Sequence, residues 1–282
     1  MGGDVVGWDR HTAAVARVRA QLAGMPPGTP IRLAKPTSNL FRPRGETGVA
    51  GLDVADLAGV IEIDAANRVA HVQGMCTYED LLDATLAHAL MPFVVPQLKT
   101  ITLGGAVTGL GIESTSFRSG LPHESVLEMD ILTGSGDIVT AAPDNEHSDL
   151  FDAFPNSYGS LGYATRLRIK LEKVPAYAAL RHVRMADAAS AVKTIEVIAD
   201  TGEWEGLRVD GLDGTAFSPD EIYLTLAHFS NDVTQRSSDY TGQQIYYKSI
   251  QTRETDAMTM EQYIWRWDTD WFWCSRAFGA QN

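Results

Sequence analysis

Two cysteines in 282 residues, Cys76 and Cys274, allow at most one disulfide. Their wide separation and different settings read as two free thiols in a reducing compartment. No apolar run approaches the ~20 residues that cross a bilayer. The first ten residues carry acids and glycines, not a basic stretch followed by an apolar one, so no secretory signal is visible and a cytoplasmic protein is expected. Positive charge is scarce: 23 Lys and Arg face 36 Asp and Glu, a formal charge of -13. Without basic clusters the phosphate contacts of a nucleic-acid partner have no source, which excludes that class. The seven histidines show no HExxH or paired spacing, so no metal site is expected. The Gly-x-Gly-x-x-Gly fingerprint of a first Rossmann strand and the Lys-Ser/Thr ending of a P-loop are missing as well.

Ordinary globular composition is present, with 44% hydrophobic and 21% charged residues. A chain of this length favours two domains over one. Asp9 to Ala23 predicts a helix capped by Asp9, with Val15, Val18 and Leu22 on one face. Val60 to Asp64 and Val69 to Gln73 predict strands joined by a tight turn. Thr77 to Leu90 predicts a helix, with Thr77 and Asp80 as a capping box and Leu81, Leu82, Leu86 and Leu90 as its buried stripe. Val126 to Leu132 and Ile138 to Ala141 predict a hairpin around Gly134-Ser-Gly136. In Tyr163 to Glu172, Thr165, Leu167, Ile169 and Leu171 alternate with Arg166, Arg168, Lys170 and Glu172, which predicts a strand with one dry and one wet face. Pro175 closes this domain. Beyond it a strand (Leu180 to Val183), a helix (Ala186 to Ile198) and strands at Glu205 to Val209 and Glu221 to Phe229 predict helices on one side of an antiparallel sheet.

The segment richest in chemistry runs from Pro96 to Ser116. Gly104, Gly105, Gly109 and Gly111 remove four Cβ atoms, so bare amides can approach an anion. Thr102, Thr108, Ser114 and Ser116 add hydroxyls. A diphosphate beside a flat ring system suits such a surface; a tight turn with close helix packing suits the same spacing. Glu113 is the one acid inside the segment, free to sit in solvent, to cap a helix or to bind and orient groups beside a cofactor.

Thr102-Leu-Gly-Gly105, then Gly109-Leu-Gly-Ile-Glu-Ser-Thr-Ser116, then Gly120 resembles the second FAD-binding segment of the vanillyl-alcohol oxidase/p-cresol methylhydroxylase superfamily, and within it the Δ24-sterol reductase branch. Ser148-Asp-Leu-Phe151 and Gly159-Ser-Leu-Gly162 resemble two further motifs of that branch, in the same order. The resemblance implies an α+β fold: a two-subdomain, PCMH-type FAD-binding domain over residues 1–174 and a ferredoxin-like α+β cover domain over 175–282, the latter incomplete. By position Lys35-Pro-Thr-Ser-Asn39 resembles the first diphosphate loop. Family members have glycines there, often with a histidine bonded to the flavin; this sequence has neither, and Phe117 stands where some relatives have another histidine. Non-covalent FAD follows.

The cofactor-binding residues so implied are Ser38, Asn39, Pro96, Thr102, Gly104, Gly105, Thr108, Gly109, Gly111, Ile112, Ser114, Ser116 and Gly162, with Glu113 as the catalytic residue. The implied activity is an NADPH-dependent reduction of a carbon–carbon double bond in a lipid, a sterol side chain or a methylene-branched fatty acyl chain. An alcohol oxidase or dehydrogenase is the alternative within the superfamily, and a non-catalytic flavin- or lipid-binding protein the alternative outside it. The aromatic stretch Met258 to Phe278 is expected to be core, with a substrate wall or peripheral membrane contact as its other readings. An incomplete cover domain would expose apolar surface and favour self-association.

Overall fold

The computed structural model describes residues 5–35, 51–234, 236–241 and 245–268. The chain divides into two compact units, Met1–Gly111 with Leu121–Lys173, and Ile112–Gly120 with Val174–Asn282. The first unit ends at Lys173, ahead of Pro175. The nine residues Ile112–Gly120, which begin inside the glycine-rich segment, pack with the second unit.

In the first unit, α1 (Gly7–Ala23) buries His11, Ala14 and Val18. Ala14 and Val18 pack on Leu52, Val54, Leu57 and Leu132. Asp9 is not its cap, because the helix begins earlier, after Val6; Asp9 lies in the first turn, where its charge complements the helix dipole. The two-residue strand Leu33–Ala34 pairs in parallel with Leu52–Asp53.

Strands β1 (Val60–Asp64), β2 (Val69–Gln73), β3 (Leu90–Pro92), β4 (Val126–Leu132), β5 (Ile138–Ala141) and β6 (Tyr163–Lys173) build an antiparallel sheet in the order β1-β2-β6-β4-β5, with β3 paired to the end of β6. Between them lie α2 (Tyr78–Leu86), α3 (Leu103–Gly109) and α4 (Ser148–Ala153). The Thr77 cap forms as its sequence predicts, accepting from the Asp80 amide at 3.1 Å. The helix is shorter than its apolar stripe, since Leu90 belongs to β3.

β6 keeps its dry face, but Arg166 is buried too. It donates to Asp130 Oδ2 at 2.6 Å and Glu128 Oε1 at 2.5 Å and lies 5.9 Å from the Trp8 ring of α1. A period-2 pattern assigns a residue to a face and cannot say that a helix covers that face.

In the second unit, β7 (Tyr177–Met185), β8 (Gly211–Ser218), β9 (Glu221–Ser230) and β10 (Thr255–Thr259) form an antiparallel sheet ordered β8-β9-β7-β10. The helix α5 (Ala188–Thr201), capped by Asp187, connects β7 to β8. The strand order is that of a ferredoxin-like unit. The strand expected at Glu205 to Val209 is instead a two-residue hairpin, Glu203–Trp204 with Leu207–Arg208. Gly206 at φ +77° turns the chain between its arms. A short helix, α6 (Met260–Ile264), follows β10. Phe117, from the nine-residue segment, packs against the core that contains Met185, Ile198, Leu224 and Leu226.

Candidate functional site

Two groups of residues gather the sequence-predicted positions, one in each unit. The first is centred on α3. Thr102 caps this helix, its Oγ1 accepting from the Gly105 amide at 3.3 Å. The Leu103, Gly104 and Ala106 amides donate to Cys76 O, Gly74 O and Thr102 O at 2.9 Å each. The expectation of bare amides at Gly104 and Gly105 is therefore corrected: both are spent inside the unit. What Gly104 provides is close approach, since a Cβ there would lie 2.6 Å from Gly74 O. The packing alternative describes that glycine.

Other parts of the segment do converge. Lys35 Nζ donates to Thr102 Oγ1 at 3.1 Å, so the start of the Lys35–Asn39 loop meets the cap of α3 across 67 positions of sequence. The Tyr158 amide donates to Thr108 O at 3.0 Å, which brings the turn Gly159–Gly162 to the far end of the same helix. Gly162, at φ +133°, lies so near β4 that a Cβ would meet Leu132 O at 2.4 Å. Pro96 is buried beside Gly111. Ser38 and Asn39 lie outside the described residues. Lys35 was absent from the predicted set, although a cation at the head of a loop read as phosphate-binding was the signal for it.

A cavity of about 220 Å³ is lined by Ile31, Leu52, Leu132, Thr133, Ser160, Gly162 and Tyr163. It shares Leu22, Thr29, Ile31 and Gly134 with a cleft of about 640 Å³ that runs along the end of α1 and the β4–β5 turn.

The second group holds the remaining predicted residues. Ile112 is exposed. Glu113 is enclosed, its side chain 8% exposed. Its Oε1 accepts from the Ser114 amide at 2.8 Å and lies 3.8 Å from Arg266 Nη2. Oε2 has no hydrogen-bond partner among the described residues. Arg266 donates to Asp213 Oδ2 at 2.5 Å and stacks 3.9 Å from the Tyr263 ring centroid. Burial raises the Glu113 carboxyl to about 7, against the opposing pull of Arg266 and with help from Asp213. The Ser114 and Ser116 hydroxyls, expected to face a cofactor, are occupied within this unit: Ser114 Oγ pairs with Tyr263 Oη at 2.9 Å, and Ser116 Oγ accepts from the Glu113 amide at 3.0 Å.

The FAD binding domain family matches residues 15–142. Among curated proteins, the Δ24-sterol reductase of Pisum sativum is 32% identical over 131 residues, 46% of this chain and 23% of that protein. The Arabidopsis thaliana Δ24-sterol reductase is 30% identical over 182 residues, 64% and 32% of the two chains. Cytokinin dehydrogenase 7 of Oryza sativa subsp. japonica is 41% identical over 123 residues, 43% and 23%. Over residues 15–142 the chain is similar to the FAD binding domain of the vanillyl-alcohol oxidase/p-cresol methylhydroxylase family. It spans about a quarter to a third of the length of these relatives.

The first unit of this flavoprotein fits its cofactor. The larger cleft falls within the ~300–1,000 Å³ of small-molecule sites. Its continuation is lined by Leu22, Ile31, Leu52, Leu132 and Tyr163 together with Gly134, Gly159 and Gly162, an apolar wall with room beside the glycines for a flat ring. Lys35 places an ammonium at the cap of α3. Among the described residues no helix is long and apolar enough to cross a membrane. Cys76 is a free, buried thiol, pushed far above its ordinary range by desolvation; Cys274 lies outside the described residues.

Proposed function

We propose that this chain is the FAD-binding and acid-bearing part of a reductase that saturates a carbon–carbon double bond in a lipid, with NADPH as electron donor and FAD held non-covalently. When bound, FAD supplies hydride transfer from the nicotinamide to one alkene carbon. In this reading Lys35, Thr102, Thr108 and the Gly159–Gly162 turn hold and orient the dinucleotide. Ser38, Asn39, Pro96, Gly109 and Gly111 complete the cradle.

Glu113 gives its proton to the second alkene carbon and regains one from solvent after product leaves. The observation that carries this role is an enclosed carboxyl with one oxygen unbonded among the described residues, whose burial pushes it up to about 7; such a group matches general-acid work at physiological pH. It stands two positions after Gly111 in the glycine-rich segment. The sterol reductase relatives support the reducing direction.

The cytokinin dehydrogenase relatives favour a second reading, in which the same cofactor oxidises its substrate. Anaerobic mixing separates the two. Bleaching of the yellow protein by NADPH, followed by recolouring with an unsaturated lipid, is expected for the reductase; bleaching by an alcohol, with NADPH inert, would replace it with the dehydrogenase. Colour that survives acid precipitation with the protein would overturn the non-covalent assignment.

A further inference from the structure

The second unit contains a buried arrangement of two carboxylates on one guanidinium, and the two are not equivalent. Asp213, on β8, receives Arg266 Nη2 at 2.5 Å, whereas Glu113 Oε1 stands 3.8 Å from the same nitrogen. The side chains of Arg266, Glu113 and Asp213 are 1%, 8% and 13% exposed, so water cannot level the difference. Arg266 is fixed from other directions: Nη1 donates to Tyr263 O at 2.5 Å, and the guanidinium lies 5.5 Å and 5.8 Å from the Tyr246 and Trp267 rings. The groups that face Glu113 are thus Arg266, Asp213, Tyr263 and the Ser114 amide and hydroxyl. One cation neutralises one buried anion, and a second anion beside them stays protonated.

We propose that Asp213 and Arg266 are positioning residues: by pairing with each other they deny Glu113 a full counter-ion and keep its carboxyl as an acid with Oε2 open. The proposal rests on the reading of Glu113 as proton donor, but it concerns a property the protein has without cofactor or substrate. With Asp213 neutral, Arg266 would turn its charge wholly on Glu113 and ionise it.

The test is the carboxyl titration of Glu113 by carbon-13 NMR on protein labelled in glutamate, the resonance being assigned by its loss in Glu113→Gln. Wild type is expected to titrate near neutrality. Asp213→Asn should lower that midpoint by at least one pH unit, a tenfold weaker hold on the proton, and Asp213→Glu should restore it. If Asp213→Asn does not fold, Asp213→Ser carries the same expectation. A wild-type midpoint in the ordinary carboxylate range, or one that Asp213→Asn or Asp213→Ser leaves in place, would overturn the proposal. Turnover by Glu113→Gln at the wild-type rate would instead remove the proton-donor reading and leave the titration result standing.

Discussion

At the scale of single residues, the second unit holds two buried titratable groups with opposite effects on its stability. Glu113 is raised to about 7 by burial, so the folded chain binds a proton more tightly than the unfolded one. Its contribution is complete below the unfolded value and is lost as pH rises to about 7, a change on the order of 3 kcal/mol. His182 is lowered to about 4, chiefly by desolvation; its Nδ1 pairs with Thr225 Oγ1 at 2.8 Å. Its contribution is complete above 6.5 and is lost as pH falls toward 4. Urea midpoints from pH 4 to pH 8 should therefore lose their alkaline decline in Glu113→Gln and soften their acid decline in His182→Asn. Equal slopes in Glu113→Gln and wild type would contradict the buried acid form. In the first unit Lys35 is the residue to change: Lys35→Gln should weaken FAD binding about tenfold, the loss of one charge-assisted contact, as read by quenching of flavin fluorescence.

At the scale of elements, α3 is held by contacts that tolerate no added atom. Gly104→Ala would drive a methyl toward the Gly74 carbonyl, backbone against backbone, and should cost about 2–3 kcal/mol. Thr102→Ala removes the cap and should cost about 1 kcal/mol, with a larger effect on FAD affinity than on stability because Lys35 loses its anchor. Denaturant midpoints with and without FAD check both. The elements legible in the sequence were those whose local signals agree: Thr77 and Asp80 before an apolar stripe, or the dry side of β6. Those that stayed hidden had conflicting signals. β8 contains Gly211, Asp213, Gly214 and Ser218, residues of turns, and is a strand because β9 supplies its partner. Gly211 is required there for another reason, since a Cβ would lie 2.3 Å from Tyr263 Oη. The glycines of the α3 segment agree with the FAD binding domain match, but glycine spacing reports close approach, and what approaches Gly104 is the protein's own backbone.

For the whole molecule, the flavin-family motif is distributed over two compact units, and the two should respond separately. FAD at a hundredfold excess over its dissociation constant stabilises whatever binds it by about 2.7 kcal/mol. Hydrogen exchange should show that gain in β1 to β6. Phe117 lies inside the flavin-family motif yet packs in the core of the second unit. Phe117→Ala should cost about 2 kcal/mol, with protection lost in β7 to β9 and retained in β1 to β6. Loss spread evenly over both would contradict the division.

The excursion of Ile112–Gly120 out of one unit and into the other also constrains inheritance. Exchanging the second unit at the Lys173–Val174 junction alone would leave the newcomer with a foreign Ile112–Gly120 segment, with the wrong ring in its core and the wrong hydroxyl for its tyrosine. A successful chimera has to cut the gene in three places, after Gly111, after Gly120 and after Lys173, and descent by recombination would meet the same requirement.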